Sequence, residues 1–283
     1  MTKRFRFAAA ALVATAALAL TSCASGGGDA GSSAAPAANK TAFVIGAGSD
    51  NPLEGGVLAF VRDEVASDYG ITIEAVELAD SRVLNESLSA GEIDGHVAIH
   101  GPYLNIVLEG ETSWDLVAAA PIYTSLVSLA STKHASLDDL PQGALVAIPD
   151  DPVNGAMSLQ VLQDEGLVVL DESVEPAAYT VQDIVENPKS IEFLPAGAAQ
   201  LARSIEDADL AFLPTSFLRA AGYDDKVEVV TRAVPDDYAI QLVIRGDDLD
   251  AAAYKPLLEA FADERVADYV DEEFGDIATG IRD

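Results

Sequence analysis

Basic residues and cysteine are scarce in this sequence. It has 16 Lys and Arg against 47 Asp and Glu, a formal net charge of −31, and a single cysteine, Cys23. One cysteine cannot form an intramolecular disulfide. Nucleic acids and anionic membrane surfaces bind clustered Lys and Arg, so the charge argues against both as partners. The acid excess is typical of a solvated surface that keeps a protein soluble.

Histidine is also rare, with three residues at positions 96, 100 and 134. His96 and His100 would point to the same side of a strand because their separation is even. His134 lies in a separate segment that has the composition of a surface loop. A zinc or manganese site needs three or four converging ligands, so we predict no metal site.

Catalytic and nucleotide-binding motifs are missing. The sequence has no G-x-S-x-G motif and no cysteine nucleophile apart from Cys23. The stretch "GAGSDNPLEGG", Gly46 to Gly56, follows a strand-like run, but Asn51 stands where a dinucleotide loop has its third glycine, and no P-loop lysine follows. We therefore expect a non-enzymatic protein without a cofactor, and we interpret this loop as a ligand wall with free backbone N–H groups.

The first 22 residues have the composition of a secretory signal, with a short basic segment and then an apolar segment. They end in "LTSC", which resembles the bacterial lipobox and implies lipid attachment at Cys23. Residues 23–40 are rich in Gly, Ser and Ala, as expected of a flexible tether. We expect an extracytoplasmic protein that is anchored to the cell membrane by a lipid on Cys23.

From position 41 onward, short runs rich in Val and Ile alternate with amphipathic segments. This alternation predicts an α/β fold with mixed, mostly parallel sheets flanked by helices. Asn154 is predicted to cap the helix that follows it, and Thr180 with Asp183 to form a capping box. The predicted strands are 41–48, 71–78, 96–101, 144–150, 191–197, 208–214, 227–234 and 240–246, and the predicted helices are 53–67, 84–90, 155–165, 181–186, 198–205, 215–221 and 254–274.

Five blocks, in the family's order, resemble the methionine-binding lipoproteins of ABC importers, the MetQ/NlpA family. The longest is "SLDDLPQGALVAIPDDPVN", residues 136–154, and "DIVENPK", residues 183–189, is close to a family signature. The similarity covers essentially the whole chain after the tether. The other blocks are "DSRVLNESL" at 80–88, "AGEIDGHVAIHGPYL" at 90–104 and "AAQLARSIEDAD" at 198–209.

The resemblance implies a two-lobe periplasmic-binding-protein fold, type II-like, that closes over a ligand in the cleft between its lobes. Carried onto this chain, lobe 1 would be 41–125 with 237–283, and lobe 2 would be 126–236. The implied function is capture of an amino acid or related small molecule and its delivery to an ABC permease with a cytoplasmic ATPase. The competing hypothesis is a surface lipoprotein that keeps this fold but acts in adhesion or signalling.

The resemblance also implies a set of ligand-binding positions. His100 and Tyr103 match the family's cage histidine and tyrosine, and Asn154 matches an asparagine that binds polar ligand atoms. Four further positions depart from the family pattern. Ala98 and Ser81 replace aromatic residues, Met157 replaces the arginine that grips the ligand carboxylate, and Pro214 replaces an asparagine.

The missing arginine matters most, because a charge-assisted hydrogen bond contributes about 1.5–3 kcal/mol. Two accounts stay open at this point. A displaced basic group or the N-terminus of the helix after Asn154 could receive the carboxylate. Alternatively, the enlarged cleft accepts a bulkier or carboxylate-masked ligand, such as a peptide or an amine. Asp150, where the family usually has asparagine, would add negative charge that suits a cation.

Overall fold

A computed structural model describes residues 40–49 and 51–282 of the chain. The predicted signal segment 1–22, the lipidation site Cys23 and all of the tether 23–40 except Lys40 lie outside the described residues. Within the described part of the chain, no helix is both long enough and apolar enough to cross a membrane.

All eight predicted strands are present, together with four more. The long strand β4 was not predicted, and it is central to the sheet. The strands are β1 Ala42–Gly48, β2 Thr72–Leu78, β3 Gly95–His100, β4 Leu116–Ala130, β5 Leu145–Pro149, β6 Val169–Leu170, β7 Ile184–Glu186, β8 Glu192–Ala196, β9 Leu210–Pro214, β10 Glu228–Ala233, β11 Ile240–Arg245 and β12 Ala278–Gly280.

In residues 40–49 and 51–282, eight α-helices lie between these strands. Proline occupies the first turn of α1, α3, α4 and α7, where its missing N–H costs no hydrogen bond. The helix α3 was not predicted. The helices are α1 Pro52–Phe60, α2 Ser81–Ser89, α3 Gly101–Gly110, α4 Pro152–Asp164, α5 Ala198–Ser204, α6 Thr215–Ala220, α7 Lys255–Phe261 and α8 Glu264–Phe274.

Two predicted helices are corrected by the structure. The segment 254–274 forms two helices because Asp263 caps α8, accepting a hydrogen bond from the backbone N–H of Arg265 at 3.0 Å. The segment 181–186 is a single 3-10 turn, Val181–Asp183, followed by β7. The predicted capping box of Thr180 and Asp183 is present in that turn. After it the chain is extended, and Ile184 pairs with Leu170 of β6.

The predicted N-cap at Asn154 is also wrong. Asp151 caps α4, and its Oδ1 accepts the backbone N–H of Asn154 at 2.8 Å. Asn154 lies in the first turn of the helix. The sequence contains both residue types that favour caps, and Pro152 directly after Asp151 fixes which of them begins the helix.

Ten strands form one mixed sheet, in the order β2-β1-β3-β11-β4-β9-β5-β8, with β10 and β12 also paired to β4. The pairs of β1 with β2 and β3, and of β5 with β8 and β9, are parallel, whereas every pair made by β4 and β11 is antiparallel. The α/β fold with a mixed sheet flanked by helices is therefore confirmed. The predicted predominance of parallel pairing is wrong, because the antiparallel pairs of β4 and β11 outnumber the parallel pairs in the described part of the chain.

The strand β4 joins two parts of this sheet. Residues 116–125 of β4 pair with β11 and β12, and residues 126–130 pair with β10 and β9. We call β1, β2, β3, β11, β12 and residues 116–125 the first half-sheet. The second half-sheet consists of β5, β8, β9, β10 and residues 126–130.

Each half-sheet has an apolar cluster on each face. In β1, Phe43, Ile45 and Ala47 alternate with residues of the opposite face and pack with α1, α7 and α8. Leu84 of α2 and Leu104 of α3 belong to the cluster on the other face. Around the second half-sheet, one cluster includes residues of α4 and the other includes residues of α5 and α6. The helices packed on both faces thus hold the strands, and so the ends of the strands, in place.

Candidate functional site

A cavity of about 490 Å³ lies where the two half-sheets meet. Its walls include residues at or just after the carboxyl ends of β1, β2 and β3 on one side and of β5, β8 and β9 on the other. Ligands of open α/β sheets bind at such strand ends. All seven residues predicted from the family motifs line this cavity: Ser81, Ala98, His100, Tyr103, Asn154, Met157 and Pro214.

His100 ends β3 and caps α3. Its Nδ1 accepts the backbone N–H of Tyr103 at 3.1 Å, so the neutral ring carries its proton on Nε2. That Nε2 donates to Oδ1 of Asn154, 3.2 Å away. Burial lowers the pKa of His100, against the opposing effects of the Asn154 hydrogen bond and the charge of Asp151. His100 is therefore a neutral hydrogen-bond donor at neutral pH.

Asn154 connects His100 to a carboxylate. Its amide Nδ2 donates to both oxygens of Asp151, at 3.1 and 3.0 Å, while its Oδ1 accepts from His100. His100 belongs to the first half-sheet, whereas α4 packs against the second. The three side chains form a hydrogen-bonded chain from one half-sheet to the other.

Aromatic rings surround His100. The centroid of the Tyr103 ring is 6.0 Å from the histidine ring and that of Tyr238 is 5.3 Å, both in edge-on geometry. Burial raises the pKa of both tyrosines, so their hydroxyls stay protonated. Ser81 hydrogen-bonds with Tyr103, and this bond opposes the shift. Tyr238 was missed from the sequence, where the only signal was its place beside the predicted lobe crossover near residue 237.

The positions that depart from the family pattern make parts of the wall apolar. Met157, on α4, is 7% exposed and packs in the core of the second half-sheet. Ala98, in β3, presents only a methyl group. Pro214 ends β9 and precedes α6, and it lacks a backbone N–H that could donate to a ligand.

Carboxylates dominate the charged part of the wall. Glu54, Asp80, Asp150 and Asp151 line the cavity, and Arg82 is the one Lys or Arg among the described lining residues. Glu54 is 6% exposed and accepts the backbone N–H of Gly48 at 2.7 Å and the amide of Asn51 at 2.9 Å. These three residues come from the "GAGSDNPLEGG" loop, which lines the cavity as predicted. The predicted free backbone N–H groups are wrong, because those of Gly48, Ser49 and Leu53 donate within the chain.

Among the described helices that begin at this cavity, four have a side-chain cap. Asn51 caps α1, Asp80 caps α2, His100 caps α3 and Asp151 caps α4. All four caps line the cavity. Each therefore both begins its helix and presents a polar group to the site.

The other two histidines lie away from the cavity lining. His96 is fully buried, with its Nε2 2.9 Å from Oδ1 of Asn85, and burial lowers its pKa to about 3. His134 pairs with Asp209 at 3.2 Å. Within residues 40–49 and 51–282, no group of three or more His, Cys, Asp or Glu is arranged to hold a metal ion.

This fold, with a cavity between two half-sheets, is that of the periplasmic substrate-binding proteins. A Coxiella burnetii ABC transporter periplasmic substrate-binding protein matches with a TM-score of 0.76 and 28% identity, covering 84% of this chain and 100% of that one. A Burkholderia cenocepacia nutrient-binding protein, solved bound to methionine, matches with a TM-score of 0.77 and 29% identity over 84% of this chain and 99% of that one.

The chain belongs to the NlpA lipoprotein family, whose sequence pattern matches residues 46–280. The D-methionine-binding lipoprotein MetQ of Escherichia coli strain K12 is 34% identical over 248 residues, which is 82% of this chain and 90% of that protein. The resemblance seen in the sequence is thereby confirmed.

Proposed function

We propose that this protein is the extracytoplasmic solute-binding lipoprotein of an ABC importer. It captures a methionine-like amino acid or a related small molecule and delivers it to a membrane permease driven by a cytoplasmic ATPase. The observation that carries the proposal is the cavity of about 490 Å³, lined from both half-sheets by all seven family-motif positions. The relatives that are named for methionine binding support this ligand class.

The proposed lobes are 41–125 with 237–283, and 126–236. Two features support this division. The strand β4 changes partners between Ser125, which pairs with β12, and Leu126, which pairs with β10. The chain returns between β10 and β11, where Tyr238 reaches the cavity. A ligand held between the lobes would favour the closed arrangement because it contacts both of them.

In the bound state, His100, Tyr103 and Tyr238 pack around the apolar part of the ligand. A thioether suits this wall because sulfur contacts with aromatic rings are favourable. Met157 and Ala98 complete the apolar surface, and Asn154, Ser81 and the nearby carboxylates bind the polar end. Pro214 forms the part of the cavity wall beside the start of α6. The protein performs no catalysis in this role, and it needs no cofactor.

Anchoring at Cys23 completes the proposal. The lipobox resemblance of "LTSC" supports lipid attachment there, and the relatives are named lipoproteins. Residues 23–40 then tether the folded body outside the cytoplasm within reach of the permease.

The test is thermal unfolding of the purified protein with L-methionine, D-methionine, L-methioninamide and unrelated amino acids. A ligand that binds only the native state raises the melting temperature. We expect a methionine-type solute to give the largest rise, and Asn154→Ala to reduce it. Asn105→Ala is the matched control, because Asn105 is exposed on α3 and does not line the cavity. No rise with any methionine-type solute would favour the adhesion or signalling hypothesis.

A further inference from the structure

The charge of the cavity wall bears on which ligand the proposed receptor takes. Four carboxylates line it, and the guanidinium of Arg82 is the one strongly basic group among the described lining residues. The Arg82 side chain is 74% exposed and bonds to Glu86 at 2.8 Å, so it faces solvent and is already paired. A ligand carboxylate in this cavity would meet more like charge than opposite charge.

The position where the family has arginine offers no cation that could bind a ligand carboxylate. Met157 is neutral, is 7% exposed and is packed in the core of the second half-sheet. A carboxylate that leaves water needs a hydrogen-bonded cationic partner, because an uncompensated buried charge is costly. At Met157 it would contact a thioether.

The N-termini of α2 and α4 are not free for a carboxylate either. Oδ1 of Asp151 accepts the backbone N–H of Asn154 at 2.8 Å in the first turn of α4, and Oδ1 of Asp80 accepts that of Val83 at 3.0 Å in α2. Asp150 approaches the start of α5, since a Cβ built on Gly197 would lie 3.8 Å from its Oδ2. The chain's own carboxylates cap α2 and α4, which argues against the helix after Asn154 as a carboxylate receptor.

One polar group of the wall is neutral and has no partner. Ser216 is 3% exposed and lines the cavity, and its Oγ forms no hydrogen bond within the described part of the chain. Buried hydroxyls are normally satisfied. A hydroxyl can donate to a carbonyl or accept from an amide N–H, and so it suits a neutral polar group of a ligand.

We infer that the cavity accepts a ligand with an ammonium group and no free carboxylate. The candidate ligands share an α-amino group beside an amide carbonyl, as in an amino acid amide or in the first residue of a short peptide. The ammonium faces the carboxylates, and the amide is left for neutral partners such as Ser216. The volume of about 490 Å³ falls among pockets for drug-sized ligands, about 300–1,000 Å³. This inference rests on the proposed function and names its ligand class.

The test compares four probes by calorimetric titration of the full-length protein near pH 6.5, where an α-amino group is protonated. They are L-methionine, L-methioninamide, N-acetyl-L-methionine and N-acetyl-L-methioninamide. We expect methioninamide to bind about tenfold or more tightly than methionine, and N-acetylmethionine, which has only the negative charge, to bind most weakly.

Two substitutions isolate the charge. Asp80→Asn and Asp150→Asn each remove a carboxylate from the cavity wall, and asparagine at position 80 remains a good helix cap. Each should weaken methioninamide binding by about threefold or more and leave the uncharged N-acetylmethioninamide within about twofold. Asp224→Asn is the matched control, because Asp224 caps an exposed 3-10 turn away from the cavity. Circular dichroism of each variant checks its fold.

The outcomes separate the two proposals. If methionine binds as tightly as methioninamide or more tightly, the ligand class is overturned and the importer proposal stands. If none of the four probes binds at millimolar concentration, both are overturned. If methioninamide is preferred, methionylglycine in the same titration distinguishes peptides from small amides, because only a site open at the carbonyl end accepts the longer chain.

Discussion

The Nε2 of His100 lies 3.2 Å from the Oδ1 of Asn154, and this hydrogen bond joins the first half-sheet to the helix that packs on the second. Both residues line the cavity. Asn154 in turn donates to Asp151, so the contact is fixed at both ends. A ligand that fills the cavity therefore contacts a pair of side chains whose geometry depends on how the two half-sheets meet.

The first prediction concerns this pair. His100→Ala, Asn154→Ala and the double variant should each weaken ligand binding, and the cycle should give a coupling of about 0.5–1.5 kcal/mol, the usual net value of a hydrogen bond. Calorimetric titration of the four proteins measures it. Additive effects of the two substitutions would show that the hydrogen bond does not contribute to the bound state.

The second prediction concerns Tyr238, whose ring lies edge-on to His100 at 5.3 Å. Tyr238→Ala should weaken binding about tenfold, because it removes an aromatic wall, whereas Tyr238→Phe should stay within about threefold of the wild type. Dissociation constants from the same titration decide it. If Tyr238→Phe binds the ligand as weakly as Tyr238→Ala, the hydroxyl of Tyr238 and not its ring is what contributes to binding.

The third prediction is a pH dependence that arises at His96. Burial lowers its pKa from 6.5 to about 3, so between these values the unfolded chain binds a proton that the folded chain does not. The part of the folding stability that depends on neutral His96 is therefore fully present above pH 6.5 and is lost as the pH falls towards 3. Below pH 6.5 this residue should lower the free energy of unfolding by up to about 1.4 kcal/mol per pH unit.

Urea unfolding of the wild type and His96→Gln between about pH 7.5 and 5 tests this effect. The variant should lose less stability than the wild type across that range. His100, whose pKa is also lowered by burial, acts in the same direction and remains in both proteins. Parallel stability profiles would show that His96 is protonated in the folded state.

The fourth prediction concerns Gly280 in β12, where α8 approaches the strand closely. A Cβ at this position would lie 2.5 Å from the Cα of Ala267 and would also contact its carbonyl oxygen. Gly280→Ala should therefore destabilise the fold by about 1–3 kcal/mol, since backbone must move. In the control Gly110→Ala, an added Cβ meets nothing within 4 Å. Equal unfolding midpoints for both variants would contradict the close approach.

The short apolar runs bounded by Gly, Pro or Asp were predicted as strands, and the long strand β4 was missed. The segment of β4, "LVAAAPIYTSLVSLA", contains four alanines and Pro121, and proline argues against a central strand. Tertiary pairing on both edges overrides this weak local preference. The helix α3 was missed because Gly101 and Pro102 have the composition of a turn, although proline in a first helical turn is also a start signal.

The site was predicted where it rests on family motifs and missed where it depends on tertiary proximity. His100, Tyr103 and Asn154 each lie in a recognisable block, and the structure brings them to one cavity. Ser216 and Tyr238 come from separate segments of the chain. Only the arrangement of the two half-sheets around β4 places them on the same wall, and no local pattern indicates that.

The most direct test of the central claim is a crystal structure of the protein grown with a saturating methionine-type ligand. We predict density for the ligand in the cavity, with its side chain beside His100, Tyr103 and Tyr238 and its amino group facing the carboxylates. A bound ligand located elsewhere on the molecule, with no contact to residues of both half-sheets, would contradict the account.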